Sequence, residues 1–311
     1  MSGRFAPSPT GALHLGNLRT AILAAASARA GGRGFLVRME DLDRVTARPE
    51  HEAGQLADLA ALGITWAGPV VRQSERFDRY EAAIARLAAD GRVYECYCTR
   101  REIREAASAP HGAVPDGFYP GTCRTLTAAQ RAAHRREGRP AALRLDAGGM
   151  EVAVHDECFG EYRGVVDDVV LRRNDGVPAY NLAVVVDDAA QGVDEVCRGD
   201  DLLESSPRQA ALQQLLGLPT PRWIHLPLVL GPDGSRLAKR HGAVTLGELV
   251  AGGYRPADVV AWAAETMGLS DPGESCTFEG LVARFDLARL DRRAVRVDGT
   301  DPLRTWQHVE P

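Results

Sequence analysis

The first 95 residues constrain the fold most, because strand-like and helix-like segments alternate through them. A chain that starts a new strand only after each helix builds a parallel sheet with crossover helices. An extended start runs into "RFAPSPTGALHLGNLRTA" (4–21), where two prolines and a glycine break the strand and a helix follows. Leu18, Ala21, Ile22 and Ala25 fall on one stripe of residues 18–29. "FLVRME" (35–40) reads as the next strand. "PEHEAGQLADLAALG" (49–63) opens on Pro49 and closes on Gly63, as helices do. "RYEAAIARLAADG" (79–91) turns Tyr80, Ile84 and Leu87 inward.

The rhythm then loosens. "VYECYC" (93–98) is strand-like, and Thr99 with Glu102 forms a capping box for a short helix. "AALRLD" (141–146) and "EVAVHD" (151–156) alternate like strands inside a stretch, 95–165, that reads as an insertion. Strand and helix resume at 167–189, followed by a strand running into a loop (193–201) and a helix (205–217) with a Ser cap, an early Pro and a final Gly. "WIHLPLVL" (223–230) is strand-like, and "GPDGSRLAKRHG" (231–242) is a polar loop. The expectation is an α/β protein. A split catalytic domain occupies 1–95 and 165–242, an inserted subdomain 96–164, and a mostly helical region 243–311.

Composition narrows the function classes. Hydrophobic residues make up 45% of 311 and charged residues 25%, enough apolar matter for a sizeable core. No apolar run approaches the roughly 20 residues that cross a bilayer, and Arg4 with its neighbouring prolines stands too early for a signal peptide, so no membrane partner and a cytoplasmic location are expected. A net charge of −5 argues against a general nucleic-acid coat. The basic runs "RREIR" (100–104), "RAAHRREGR" (131–139) and "DRRAVR" (291–296) read, taken alone, as solvated helix faces. Six cysteines need not pair at this size, and three of them (Cys96, Cys98, Cys123) crowd into 28 residues.

Two motifs carry chemistry. His14, Gly16 and Asn17 stand at a helix N-terminus, where unpaired N–H groups favour phosphate. Gly16 admits a close approach to the backbone, and His14 can donate to a phosphate oxygen. Lys239 stands in "RLAKRHG" (236–242), and a lysine on such a loop can close on a triphosphate. Alone, each has a plain alternative, a surface histidine and an ordinary basic loop.

Together they resemble the signatures of class I aminoacyl-tRNA synthetases. "HLGN" (14–17) is similar to their His-Ile-Gly-His motif and "RLAKR" (236–240) to their Lys-Met-Ser-Lys-Ser loop. Asn17 stands for the second histidine, Arg236 for the first lysine and Ala238 for the serine. The resemblance implies a class I synthetase-type Rossmann nucleotide-binding domain, with His14 and Lys239 catalytic and His14, Gly16, Asn17 and Lys239 binding ATP. "RFAPSPTGALHLGNLRTA", "RMEDLDRVT" (38–46), "PAYNLAVVVDD" (178–188), "VCRGDDLLESSPRQ" (196–209) and "LPLVLGPDGSRLAKRHG" (226–242) resemble the glutamyl-tRNA synthetase family. Ser8 and Thr10 stand where the glutaminyl branch has Glu and Asn. The glutamate site implied by this resemblance comprises Arg4, Phe5, Ala6, Pro7, Ser8, Glu40, Tyr180 and Arg198. Arginines suit the γ-carboxylate and Glu40 the ammonium.

Only 69 residues follow Gly242. That leaves no room for a large anticodon-binding part, and the 243–311 region then resembles a helical stem-contact region. In this the chain resembles the short paralogues, the glutamyl-Q tRNA(Asp) synthetases. That family activates L-glutamate with Mg²⁺ and ATP, without tRNA, and transfers it to the queuosine base in the anticodon of tRNA(Asp). The same resemblance implies one structural Zn²⁺ held by Cys96, Cys98, Tyr119 and Cys123 in the inserted subdomain. The alternatives are a shortened glutamyl-tRNA synthetase charging a 3′ end, an inactive tRNA-binding paralogue, and a small-molecule ligase of the same superfamily.

Overall fold

Strand β1 (Ser2–Phe5), helix α1 (Leu15–Ala30), β2 (Gly34–Met39), α2 (Pro49–Ala61), β3 (Val71–Arg72) and α3 (Phe77–Ala89) follow one another as the pattern requires. The structure, a computed structural model, describes residues 1–99, 101–103, 118–237, 244–298 and 301–310. Next come β4 (Val93–Cys96), α4 (Ala128–Arg136), β5 (Ala142–Leu145), β6 (Glu151–Asp156), β7 (Gly160–Val165) and β8 (Val170–Arg172). Then α5 (Tyr180–Ala190), β9 (Val193–Gly199), α6 (Ser206–Leu216), β10 (Arg222–Leu226) and β11 (Val229–Leu230) complete the central part. The chain ends with α7 (Leu246–Ala251), α8 (Pro256–Thr266), α9 (Phe278–Arg284), β12 (Ala294–Val297) and β13 (Trp306–Val309). No helix of the described residues is long and apolar enough to cross a membrane.

The main sheet has the order β3-β2-β1-β9-β10-β6-β7. All its pairs are parallel except the β6–β7 hairpin at one edge. Apolar layers cover both faces, as a parallel sheet needs. Leu18, Ile22, Leu59, Val260 and Leu281 pack on one side. Leu87, Leu182 and Leu212 pack on the other. Neighbouring strand residues divide between the layers, Cys197 joining the first and Val196 the second.

Three sequence expectations need correction. Residues 151–165 do not belong to a separate insertion, because β6 pairs with β10 and β7 with β6 in the main sheet. The alternation of "EVAVHD", with Val152, Val154 and Asp156 buried, reveals a strand but not the sheet it joins. Conversely β8, from the expected second half of the catalytic domain, pairs with β5 in a small sheet of order β4-β5-β8. The last region is helical only in part: β12 lies parallel to β11, with Val295 beside Val229, and β13 closes a hairpin on β12. Segments of four residues are too short for their period to stand out. A smaller correction concerns Ser205, which does not cap α6; its hydroxyl donates to the Leu202 carbonyl at 2.7 Å.

Helix α1 is buried nearly all round, since the sheet flanks it on one side and the C-terminal helices on the other. Arg19 ties these parts together. It is fully buried and donates to Thr266 Oγ1 (3.0 Å), the Thr266 carbonyl (3.0 Å) and the Pro227 carbonyl (2.7 Å). Burial lowers its pKa to about 10, but it stays cationic at neutral pH.

Strand β1 packs closely on α1. A Cβ on Gly3 would lie 2.7 Å from the Ala28 methyl, so only glycine lets the strand this close. Gly3→Ala should therefore destabilise the fold by about 1–3 kcal/mol in chemical denaturation. Adding Ala28→Gly should recover part of that loss, although the second glycine alone costs about 1 kcal/mol of helix stability. Strict additivity of the two changes would show that the clash is absent.

Candidate active site

In the main sheet β2 and β3 lie on one side of β1, and β9 and β10 on the other. Loops leaving β1 and β9 diverge, which opens a crevice at the carboxyl ends of the strands. A cavity of ≈ 470 Å³ fills it. Arg4 and Phe5 reach it from β1, and Ala6, Pro7 and Ser8 from the loop beyond. His14, Gly16 and Asn17 line it at the start of α1. Glu40 joins from just after β2, Tyr180 from the first turn of α5 and Arg198 from β9. These residues are spread over 195 positions of sequence, and the topology gathers all of them on one wall system.

The loop between β1 and α1 is pinned from outside the motif. Gln55, buried on α2, donates to the Ser8 and Gly11 carbonyls at 3.0 and 2.7 Å. The Glu40 and Arg48 amides donate to the carbonyls of Pro7 (2.9 Å) and Pro9 (3.0 Å). Nothing in the sequence singles out Gln55, because its partners are backbone atoms 44 and 47 residues away.

His14 is the N-cap of α1. Its Nδ1 accepts the Asn17 amide at 3.4 Å, and its own amide donates to Asn17 Oδ1 at 3.2 Å. With Nδ1 used as an acceptor, the neutral ring carries its proton on Nε2, a donor suited to phosphate oxygen. Burial, with Arg236 nearby, lowers the His14 pKa to about 4. The imidazole lies across Gly16, where a Cβ would come within 3.2 Å of Nδ1 and Cε1. Asn17 thus orients His14 rather than acting as a second imidazole.

At the opposite end the floor is ionic. Asp188 accepts Arg38 at 2.7 Å and Arg4 Nε at 3.4 Å. Burial alone would raise the Asp188 carboxyl, but the two guanidiniums outweigh it and hold its pKa below the usual range. Arg38 also donates to Gln191 (2.8 Å) and lies 3.5 Å from Glu40 Oε1. Burial raises the Glu40 pKa against the pull of Arg38 and Arg4. A charged Arg38 inside the apolar strand "FLVRME" was the sequence signal for this network, and "VVVDD" held its acidic partner.

Arg198 is 95% buried and held on several sides. It donates to His225 Nε2 (2.9 Å), Gln209 Oε1 (2.8 Å), Ser206 Oγ (2.8 Å) and the Leu202 carbonyl (3.1 Å). Its guanidinium also lies 4.7 Å from the Trp223 ring centroid. Sequence reasoning missed His225 and Gln209. Gln209 ends one of the stretches that carry the family resemblance and His225 immediately precedes another, but neither belongs to a spaced motif.

Arg236 lines the cavity and pairs with Asp201 at 2.5 Å. Lys239 lies outside the described residues. Both flanks of its segment are anchored at the cavity wall: the Leu237 amide donates to the Val229 carbonyl (2.9 Å), and the Leu15 amide to the Val244 carbonyl (3.0 Å).

Away from the crevice, Cys96, Cys98 and Cys123 bring their sulfurs within 4.8 Å of one another and could hold a metal ion. Tyr119 oxygen lies 3.4 Å from Cys96 Sγ and 3.6 Å from Cys98 Sγ, and the Cys98 and Cys123 sulfurs are 3.4 Å apart. A tetrahedral metal with sulfur at ~2.3 Å and oxygen at ~2.0 Å has edges of ~3.8 and ~3.5 Å, so the donor set fits. The Arg144 guanidinium packs 3.7 Å from the Tyr119 ring centroid. Thr99 and Glu102 next to the cluster form the expected reciprocal pair, at 2.6 and 3.2 Å.

Two outcomes follow. The purified chain should carry about one metal ion, lost in Cys98→Ser together with several degrees of melting temperature. A metal-free wild type of equal stability would remove the site. His14 should titrate near 4 by NMR rather than near 6.5. Its lowered folded-state value means that stability from neutral His14 is full above about 6.5 and falls as pH drops towards 4. His14→Gln should flatten that part of the stability profile.

Comparison with known proteins places this geometry. Residues 1–301 match the family model described as tRNA synthetases class I (E and Q), catalytic domain. A glutamyl-Q tRNA(Asp) synthetase of Nocardia farcinica is 61% identical over 293 residues, covering 94% of this chain and 91% of that protein. A glutamate–tRNA ligase of Halorhodospira halophila is 42% identical over 98% of this chain and 66% of its own length. The crystal structure of a glutamate-tRNA synthetase from Elizabethkingia anophelis superposes with a TM-score of 0.82 at 26% identity, over 97% of this chain and 69% of that one. The switch-point crevice, the His14 cap and the match along nearly the whole chain agree: this chain belongs to the class I tRNA synthetases of the E and Q group.

Proposed function

We propose that the chain activates L-glutamate with ATP and transfers it to the queuosine base in the anticodon of tRNA(Asp). The observation that carries this reading is the pairing, within one cavity, of a helix N-terminus suited to phosphate with a floor of buried arginines and one carboxylate. The nucleic acid is drawn from the name of the Nocardia farcinica relative, whose identity runs along 94% of this chain.

The substrate has two carboxylates and one ammonium. Arg4 and Arg198 offer guanidinium donors to the γ-carboxylate, with Arg4 carrying fewer bonds to protein acceptors. Glu40 accepts from the α-ammonium, and Ser8 and Tyr180 bond the remaining polar atoms. The α-carboxylate oxygen attacks the α-phosphorus, and the P–O bond to the departing pyrophosphate breaks. Glutamyl-adenylate forms without a covalent enzyme intermediate. His14 Nε2–H and the Gly16 amide at the start of α1 receive the phosphate charge, and Lys239 stabilises the leaving pyrophosphate. Magnesium arriving with ATP neutralises part of that charge. A nucleophile of the modified base then displaces AMP from the acyl carbon.

Cys96, Cys98, Tyr119 and Cys123 would hold one structural Zn²⁺. Bound there, it would tie β4 to the 119–123 turn, away from the cavity. The subdomain it supports includes α4, β4 and β5. The catalytic part is built on the main sheet, and 243–311 packs against it through Arg19.

Glutamate-dependent exchange of pyrophosphate into ATP, measured without tRNA, tests the activation step. Wild type should show it with glutamate and not with glutamine. Lys239→Ala should lower it by about 10²–10³-fold at unchanged melting temperature. Arg4→Ala should raise the glutamate KM by about 10–100-fold. Undiminished exchange in either variant would remove that residue from the site.

A further inference from the structure

The mechanism above leaves unused a buried pair, Asp156 and His225, on the strands beside Arg198. Both are essentially inaccessible to solvent. His225 stands directly across from Arg198 in the β9–β10 register, and β10 meets β6 at Asp156. Three neighbouring strands thus set Asp156, His225 and Arg198 in a row that ends at the cavity. Asp156 Oδ2 is 2.6 Å from His225 Nδ1, and His225 Nε2 is 2.9 Å from Arg198 Nε.

The proton positions in this row are determined by chemistry. A guanidinium Nε carries one hydrogen and can only donate, so His225 Nε2 must accept. The imidazole proton then lies on Nδ1, facing Asp156. Asp156 also accepts the amides of Cys158 (2.9 Å), Phe159 (3.0 Å) and His225 (3.1 Å). A carboxylate with this many donors stays charged and cannot turn away. Trp223 covers the row, its ring 6.0 Å from the His225 ring and 4.7 Å from the Arg198 guanidinium.

We infer that Asp156 and His225 are positioning residues for amino-acid binding: the carboxylate fixes the Nδ1–H tautomer, and the bare Nε2 fixes the plane of the Arg198 guanidinium. This rests on the reading that Arg198 receives the substrate carboxylate. Four of the five Arg198 donors go to His225, Gln209, Ser206 and Leu202, so the plane of the guanidinium decides where the remaining Nη1 hydrogen points in the cavity. The burial of His225 lowers its pKa, with Asp156 opposing and Arg198 adding to the effect, which agrees with a neutral ring.

Two substitutions separate positioning from simple structural support. His225→Gln keeps an acceptor near the Nε2 position, whereas His225→Asn keeps only a group near Nδ1. Glutamate KM in pyrophosphate exchange should rise about tenfold or more in His225→Asn and stay within about threefold of wild type in His225→Gln, with the ATP KM unchanged in both. Equal effects of the two changes would overturn the inference. So would failure of both variants to fold, which would assign the imidazole to the sheet alone. A readout free of activity completes the test: ¹⁵N-edited NMR of the wild-type chain near neutral pH should show His225 neutral, with Nδ1 protonated. An Nε2–H tautomer or a cation would overturn the inference. If wild type shows no glutamate-dependent exchange while the tautomer is as stated, the substrate reading fails and the row stands as observed.

Discussion

Asp188 holds two guanidiniums at once, Arg38 at 2.7 Å and Arg4 at 3.4 Å, beneath a cavity whose other wall is the start of α1. Each of these charges loses several kcal/mol of hydration on burial, which an attraction at close range offsets only when geometry is good. The arrangement makes the site rigid before any substrate arrives. Arg38 is committed to protein acceptors, so its role is to hold Asp188, and through it Arg4, in place. A loose Arg4 could fold back onto Glu40 and cancel the charge pattern the cavity offers. Removing one partner from such a set leaves another buried and unpaired, which is the costlier outcome by about 3–5 kcal/mol.

That pattern separates the two ends of the cavity. At one end Arg4, Arg198 and Glu40 line the cavity, with Asp188 held behind Arg4. The α1 end offers the Gly16 amide and a neutral histidine, and Arg19, which lines the cavity there, is committed to the Thr266 and Pro227 oxygens. A neutral His14 that donates from Nε2 can follow charge developing on phosphate without competing for the amino-acid carboxylate. Arg236, paired with Asp201, adds a cation at the mouth whose charge is already balanced. Both histidines that bear on the site, His14 and His225, are thus read as neutral, and in each a neighbour fixes the tautomer: the Asn17 amide in one and the Asp156 carboxylate in the other.

Much of this was legible in the residues. The prolines and glycine before His14 marked the strand-to-helix loop, and Pro49 and Gly63 bracketed the second helix, which the structure ends two residues early at Ala61. The spacing of Cys96, Cys98 and Cys123 drew attention to a cluster that the fold does assemble. What stayed hidden depends on distance along the chain. Arg4 meets a partner 184 residues away, and Gln55 serves backbone atoms that have no residue identity. The alternation in "EVAVHD" was clear, but its partner β10, which sets Trp223 opposite Asp156, lies far along the chain. The strands β12 and β13 were missed because four residues hold too little pattern.

The most direct measurement is transfer of labelled glutamate, with ATP, to two pools of tRNA(Asp) that differ only in whether queuosine is present. The account requires label on the queuosine-containing pool alone, and resistance of that label to removal of the 3′ terminal nucleoside. Equal labelling of both pools, lost with the 3′ nucleoside, would contradict it and make the chain an enzyme of 3′-end charging.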